Sequence, residues 1–442
     1  MPVRDRSPVA GHPPARRGRA NVVVVGAGFG GVAAARALAD QAVDVVLVDR
    51  HNYHGFWPLL YQVATAALSP DDIAYTVRGL FWEQSNVEVR LAAVTGIDLD
   101  GRRVHLDNGG PLRYDYLVLA TGSVSNDFGV PGVGEHGFPL KTLSDALALR
   151  NHLLELFEAA HTDPALADSG ALTVVVAGGG PTGVEVSGAL VELFGVLDRD
   201  FRGLDVRRAR VVLVEMADHL LPGFAESSQA EALRTLRLRG VDVRLSTAIA
   251  EARPDEVVLA DGSPVPTRTL VWAAGVRANP LVEGLGLPQG HGGRLVVDDD
   301  LSVPGRPEVF AIGDVAAAKA EDGSGPYPQL APVAMQAGRH VAAAISRREQ
   351  GLTGKAFRYR DKGKMATIGR RAAVAELPFG IRFGGTPGWL AWLGLHLVFL
   401  VGFRNRAAVL LSWAWNYVTW DRGHRVILPA TTGDDDPARA PG

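Results

Sequence analysis

The chain of 442 residues contains no cysteine. That absence removes disulfides, iron–sulfur clusters, thiolate zinc sites and every mechanism that needs a thiol. Any redox chemistry must therefore be carried by bound organic cofactors. A surplus of charge is missing too, since 45 Lys and Arg against 48 Asp and Glu leave a net charge of -3. The balance conceals an asymmetry: residues 355–425 hold twelve Lys and Arg against three acids (Asp361, Glu376, Asp421). A basic C-terminal part points to an anionic partner surface, nucleic acid or lipid headgroups. Runs long enough to span a bilayer, about 20 apolar residues, are also lacking. None of the twelve histidines falls in a metal-ligand spacing, and no metal is assigned. What is present is apolar content of 47 %, ample for folded cores, on a length that predicts two or three domains at about 100–200 residues each.

Residues 1–20 are rich in Pro, Arg and Gly and read as a disordered lead, with no apolar run of a signal peptide. Then NVVVVGAGFGGVAAARALA (21–39) sets a β-branched strand before Gly26, Gly28 and Gly31 and an alanine-rich helix. Glycines so spaced allow a tight turn, close approach of backbone to a pyrophosphate and close helix packing, with the phosphates at the positive helix end. The next strand, VDVVLVD, ends in Asp49, where an acid takes ribose hydroxyls. The pattern recurs: LTVVVA leads into Gly178, Gly180 and Gly183, and RVVLVE ends in Glu215. Glu215 lies farther along than the usual spacing of about 20 residues, which a longer helix and loop would absorb. An acid there favours NADH over NADPH, although Arg207, Arg208 and Arg210 lie close in sequence. Two turns imply two nucleotides, one held and one exchanging.

Three further strands end in small-residue turns: YDYLVLATGS (114–123), TLVWAAGV (269–276) and EVFAIGDVAAA (308–318). Asp314 in the last reads both as a helix N-cap and as a partner for a flavin's ribityl chain. Glu185 reads as the first-turn acid of the helix opened by Gly183. It is either a dipole-stabilised side chain or a carboxylate with a shifted pKa at a working site.

The ATG and VFAIGD segments and both glycine turns resemble the two-dinucleotide-binding flavoproteins. RHNYHGFWPLLYQVATAALSPDDIA (50–74), LKTLSDAL (140–147), GGGPTGVEVSGAL (178–190), APVAMQAGRH (331–340) and DKGKMATIGRRAAVAEL (361–377) closely resemble the type II NADH:quinone oxidoreductases, over about residues 20 to 427. The resemblance implies an α/β fold of two Rossmann-like domains plus a C-terminal membrane-associating helical segment. FAD is placed by Gly26, Gly28, Gly31, Asp49, Arg50, Thr65, Ala120, Thr121, Gly122, Gly313 and Asp314, and NADH by Gly178, Gly180, Gly183, Glu215, Ala274 and Gly275. Glu185 and Gln336 are the expected catalytic pair, with quinone near Gln336, Pro332 and Lys362. Pro332 stands where the family's A-Q-x-x-x-Q has its first glutamine. Gln62 and the aromatics Tyr53, Phe56, Trp57 and Tyr61 would line the flavin or serve as core.

The implied segmentation is an FAD domain at 21–140 and 280–350, an NADH domain at 141–279, a membrane-binding and dimerising segment at 351–428 and a disordered tail at 429–442. Within the C-terminal segment WLAWLGLHLVFLVGF (389–403) is too short to span and closes on Arg404 and Arg406. Five of eight tryptophans follow one another here: Trp389, Trp392, Trp413, Trp415 and Trp420. With Arg404 and Arg406 they predict a monotopic hairpin on an anionic lipid surface, and a buried helix pair at a dimer interface is the other reading. The chain is thus expected to be a homodimeric peripheral protein on the cytoplasmic face of the cell membrane, reducing a membrane quinone and binding no nucleic acid. Two other readings stay open: a soluble NAD(P)H reductase of a small electron carrier, and a non-catalytic flavoprotein that signals by binding NADH.

Overall fold

The computed structural model describes residues 18–419 and 422–428. The expected lead up to residue 17, Trp420 and the tail from 429 lie outside the described residues. In chain order the strands used below are β1 (Ala20–Val25), β2 (Val43–Asp49), β3 (Val87–Leu91), β4 (Tyr116–Leu119), β5 (Gly137–Pro139), β6 (Thr173–Ala177), β7 (Arg210–Val214), β8 (Asp242–Arg244), β9 (Thr269–Trp272), β10 (Ser302–Val303), β11 (Arg306–Ala311), β12 (Lys364–Gly369), β13 (Ala372–Glu376) and β14 (Arg382–Gly384). The helices are α1 (Phe29–Leu38), α2 (Leu60–Ala64), α3 (Leu143–Thr162), α4 (Pro181–Asp200), α5 (Ala331–Glu349), α6 (Gly385–Phe399) and α7 (Phe403–Thr419).

The chain divides into two compact units. One holds the part up to His54, Thr76–Ser123 and Ala278–Arg360; the other holds Gly55–Tyr75, Val124–Arg277 and the part from Asp361 on. The boundaries differ from those read in the sequence, because residues 55–75 and the C-terminal segment fall with the second glycine turn.

In the first unit a six-stranded sheet runs in the order β10-β11-β4-β1-β2-β3. All pairs are parallel except β10 with β11. β1 has β2 on one side and β4 on the other, so the chain changes direction across it and leaves a crevice at its carboxyl end. Val22 to Val25 are buried on both faces, as a parallel strand covered by helices requires. α1 packs on α5 through small residues: a Cβ on Gly338 would stand 2.9 Å from Ala34 N.

The second unit repeats the plan with an all-parallel sheet in the order β5-β9-β6-β7-β8. All five residues of β6 are buried. α4 is 20 residues long and is followed by a short 3-10 turn at Val206–Arg208 before β7, which accounts for the long spacing to Glu215. Beyond it the segment read as helical contains an antiparallel sheet, β12-β13-β14, ahead of the α6–α7 hairpin. The sequence reading missed these strands because they are short and their turn, Arg370–Arg371, lacks an Asn-Gly type signal. Among the described residues no helix is long and apolar enough to cross a membrane.

α4 lies flat on β12 because Gly188 has no side chain: a Cβ there would sit 2.7 Å from the Ile368 carbonyl carbon and 3.1 Å from Gly369 N. Gly188→Ala should push β12 outward and cost about 1–3 kcal/mol. Calorimetry would register this as a lower Tm, and an unchanged Tm would mean the sheet gives way freely.

Candidate functional site

Both glycine turns are wired alike. In the first, the Asp49 carboxylate accepts the N–H of Ala27 at 2.6 Å and that of His51 at 2.7 Å. In the second, the Glu215 carboxylate accepts the N–H of Gly179 and, at 2.7 Å, that of Ala217. Each acid braces its turn with one lone pair per oxygen, which leaves further lone pairs able to accept hydrogen bonds. Gly26 and Gly178 have φ of +106° and +104°, a region that glycine enters without strain. Gly31 and Gly183 approach the carbonyls of Gly26 and Gly178 so closely that no side chain fits. Gly28 and Gly180 cap α1 and α4 and face open space.

The first turn suits a bound dinucleotide on the evidence of its own atoms. Beside it the buried Thr121 hydroxyl has no hydrogen-bond partner among the described residues, and Ala120 packs directly against Gly26. The Gly122 carbonyl accepts Asn279 N at 3.1 Å. Gly313 (φ +71°) and Asp314 form a short 3-10 turn, and the Asp314 carboxylate accepts the Ser123 hydroxyl at 2.6 Å. Asp314 is therefore not an N-cap: it lies inside that turn, a strand follows it, and α5 is capped at Leu330. Arg50 is exposed. Thr65 is fully buried in the other unit and its hydroxyl donates to the Tyr61 carbonyl at 2.9 Å, so its proton is already used. At the second turn a Cβ on Gly178 would meet Ala273 O at 2.6 Å, which brings Ala274 and Gly275 to the same ledge.

Glu185 needs a correction. Pro181 opens α4 and Gly180 is its N-cap, so the first turn holds no acid and Glu185 lies in the second. The helix-dipole account loses most of its force there. Instead Glu185 is buried and accepts the Thr367 N–H at 3.3 Å. Burial pushes its carboxyl up to about 8, with the Thr367 N–H and the Trp392 indole offsetting this only in part. The Trp392 Nε1–H is itself buried without a fully formed hydrogen bond. His396 stacks on Trp392 at 4.0 Å and is pushed by burial down to about 4, so it supplies no cation. Glu185 is a neutral acid at neutral pH, held beside the second turn.

Around it a chain of polar contacts ties α7 to α2. Trp413 Nε1 donates to Gln62 Oε1 at 2.8 Å, and Gln62 Nε2 donates to the Tyr61 hydroxyl at 2.9 Å. Asn416 Nδ2 donates to Ala67 O at 2.9 Å, and Arg422 reaches both Thr65 O at 2.6 Å and Glu192 at 3.0 Å. These contacts surround a cavity of about 50 Å³ whose wall includes Tyr61, Thr367, Trp392 and Tyr417. Of these partners the sequence reading singled out Tyr61, Gln62, Thr65 and the tryptophans. Thr367, Glu192, Asn416 and Arg422 escaped it, as did Asn405, whose amide donates to Asp71 O at 3.1 Å and Ala74 O at 2.9 Å. A signal was present for two: Asn405, Val409, Trp413 and Asn416 recur at helical spacing and form the inner face of α7.

That face also corrects the membrane residues. Trp389, Trp392 and Trp413 are buried and turn inward, because the cavity and the aromatic stack need them there. Arg406 donates to Leu400 O at 2.8 Å and Val398 O at 2.9 Å, capping α6 rather than facing lipid alone. Arg404 and Trp415 stay exposed. The outer face of the hairpin is instead aliphatic and aromatic: Leu390, Val398, Phe403, Leu411, Trp415 and Val418 are all exposed.

Gln336 lies on α5, where Pro332 occupies the first turn. Its amide is matched on both sides by one residue, donating to Arg360 O and accepting Arg360 N, each at 3.0 Å. Lys362 is exposed. Lys364 is drawn instead to Glu376, at 3.8 Å, and to the Phe224 ring.

Residues 20–338 match the family of pyridine nucleotide-disulphide oxidoreductases, and residues 362–419 match the NDH2 C-terminal domain. The chain is 39% identical over 437 residues to the type II NADH:quinone oxidoreductase NdhA of Mycobacterium tuberculosis, covering 95% of this chain and 91% of that one. It is 31% identical over 376 residues to the type II NADH:quinone oxidoreductase of Staphylococcus aureus, covering 83% and 92%. In fold it is similar to NDH2 from Plasmodium falciparum in complex with NADH, with a TM-score of 0.85 at 18% identity, over 93% of this chain and 100% of that one.

Proposed function

We propose, from the premise that the chain belongs to the type II NADH:quinone oxidoreductases, that its reaction is completed by a proton from Glu185. The enzyme oxidises NADH, reduces a quinone and depends on FAD. When bound, FAD takes the hydride of NADH and passes the electron pair on to the quinone. A hydride supplies both electrons of a quinol but only one of its two hydrogens, so each turnover draws one proton from solvent. Glu185 carries the reading: it is a buried acid, protonated up to about pH 8, on the helix that the NADH turn opens.

Gly26, Gly28 and Gly31 receive the FAD pyrophosphate at the N-terminus of α1, Asp49 the ribose, and Ala120 to Gly122 with Gly313 and Asp314 the flavin side. Gly178, Gly180, Gly183, Ala274 and Gly275 receive NADH. Glu215 accepts the 2′-hydroxyl of its ribose and repels a 2′-phosphate. Glu215→Ala should therefore raise kcat/KM for NADPH relative to NADH by about tenfold. An unchanged ratio would remove Glu215 from the specificity account. Gln336, one turn beyond Pro332 on α5, keeps one N–H to donate to a quinone carbonyl and one lone pair to accept from the quinol hydroxyl.

The outer face of the hairpin lies on an anionic lipid surface at the cytoplasmic side of the membrane, and a second copy of the chain packs nearby. Leu411→Glu with Val418→Glu should abolish co-sedimentation with anionic vesicles and leave turnover of a short-chain quinone intact. Retained co-sedimentation would place the lipid contact elsewhere. The whole reading is tested by stopped-flow absorbance of the holoenzyme. NADH should bleach the flavin anaerobically and a short-chain quinone should restore it; bleaching without recovery would mean that quinone does not accept the electrons.

A further inference from the structure

Glu185 starts each turnover with its proton but has no evident way to regain it, since its neighbours Tyr61, Thr367 and Trp392 are buried. Those three residues also wall the cavity of about 50 Å³, which has room for a few waters. Ala189, one turn beyond Glu185 on α4, lines it as well, and so does Glu192, two turns beyond on the same face and about 10 Å away. The wall is polar enough to hold water. Tyr61 accepts from Gln62 and keeps its own O–H to donate, and of the charges that bear on Tyr61, Glu185 is the foremost. Glu192 is half-buried and, among the described residues, is the one carboxylate on the wall. It is held by Arg239 at 3.0 Å, by Arg422 at 3.0 Å and by the Arg370 N–H. Tyr417 and Arg370 face it from the other elements.

We propose that this cavity holds the water file through which Glu185 regains one proton from solvent per turnover, with Tyr61 at its inner end and Glu192 positioning its outer end. The proposal rests on Glu185 being the donor. The proton enters at the Glu192 end, passes along the waters and the Tyr61 hydroxyl, and rests on a Glu185 oxygen. No electrons move. Glu192 is a positioning residue here, because two guanidinium groups fix its carboxylate in place at that end of the file.

Ala189→Leu tests this without altering any charge, since it fills the cavity from α4. The first readout needs no turnover: on transfer to D2O the infrared band of the protonated Glu185 carboxyl should exchange promptly in the parent protein and at least about tenfold more slowly in the variant. The second readout uses the holoenzyme below pH 8. The variant should bleach normally with NADH, release a burst of one quinol per enzyme on the stored proton, and then turn over about tenfold more slowly. Tyr61→Phe, which removes only a hydroxyl, should give the same burst and a milder slow phase if Ala189→Leu does not fold. Prompt exchange and undiminished turnover in a folded, flavin-loaded Ala189→Leu would overturn the proposal. A slowed burst with a raised quinone KM would overturn it too, since the cavity would then be a quinone seat. Failure of Glu185 as donor has a different signature: Glu185→Gln would turn over normally.

Discussion

Glu185→Gln is expected to leave NADH-driven bleaching of the flavin intact and to slow quinone-driven recovery by about 10²- to 10⁴-fold, the usual worth of a positioned general acid. The amide keeps the shape and can still accept from Thr367, so what it removes is the proton. In the parent enzyme the protonated form is the active one. Recovery should therefore decline as the pH rises through about 8, and the variant should lack that limb. Equal recovery rates in parent and variant would sink the role. The same group makes a stability prediction. Unfolded, Glu185 ionises above about 4.5; folded, it stays protonated to about 8. The raised folded pKa means that stability falls as the pH rises from 4.5 to 8 and is level above. At pH 7 the loss is about 3 kcal/mol. Glu185→Gln should thus melt higher than the parent at pH 8 and the two should converge near pH 4.5. A parent that gains no stability on acidification would show that the acid is ionised in the fold.

The second large effect separates the two turns. Gly26→Ala places a Cβ against the Ala120 carbonyl, 2.8 Å from its carbon, at φ +106°. Gly178→Ala does the same against Ala273 O at 2.6 Å, at φ +104°. Strain of this kind costs about 1–3 kcal/mol, and it falls on the turn that must cradle a pyrophosphate. Gly26→Ala should purify with little or no flavin. Gly178→Ala should purify with flavin yet bind NADH about tenfold to a hundredfold more weakly in titrations. If Gly178→Ala lost the flavin and Gly26→Ala kept it, the assignment of nucleotides to turns would have to be exchanged.

The turns were readable from sequence because their constraints are local. A glycine at positive φ, an acid at a strand end and a β-branched strand each act within about forty residues. Glu215 could be placed despite its spacing for the same reason. Glu185 shows where this stops: its position was visible, but its protonation comes from burial in a corner that Thr367 and Trp392, about two hundred residues away, help to close. The tryptophans misled in another way. Their number suggests a membrane interface, whereas the spacing of Trp389 and Trp392, and of Asn405, Val409, Trp413 and Asn416, marks the inward faces. Gln336 was legible as a polar residue on α5, but not its pair of hydrogen bonds with the Arg360 backbone, which only the returning chain can supply.

The contacts between α7 and the segment around α2 carry a consequence for how the protein is made. Trp413 to Gln62, Asn416 to Ala67 and Arg422 to Thr65 join residues 351, 349 and 357 positions apart. At synthesis rates of about 5–20 residues per second, the early partner waits on the ribosome for roughly 20 to 70 s before its mate exists. Tyr61, Gln62 and Thr65, all buried in the finished protein, must spend that interval without the walls that later enclose them. Contacts of such long range form late and slow folding. A chain terminated before Arg422 could complete both large sheets and still lack the guanidinium that joins Thr65 to Glu192.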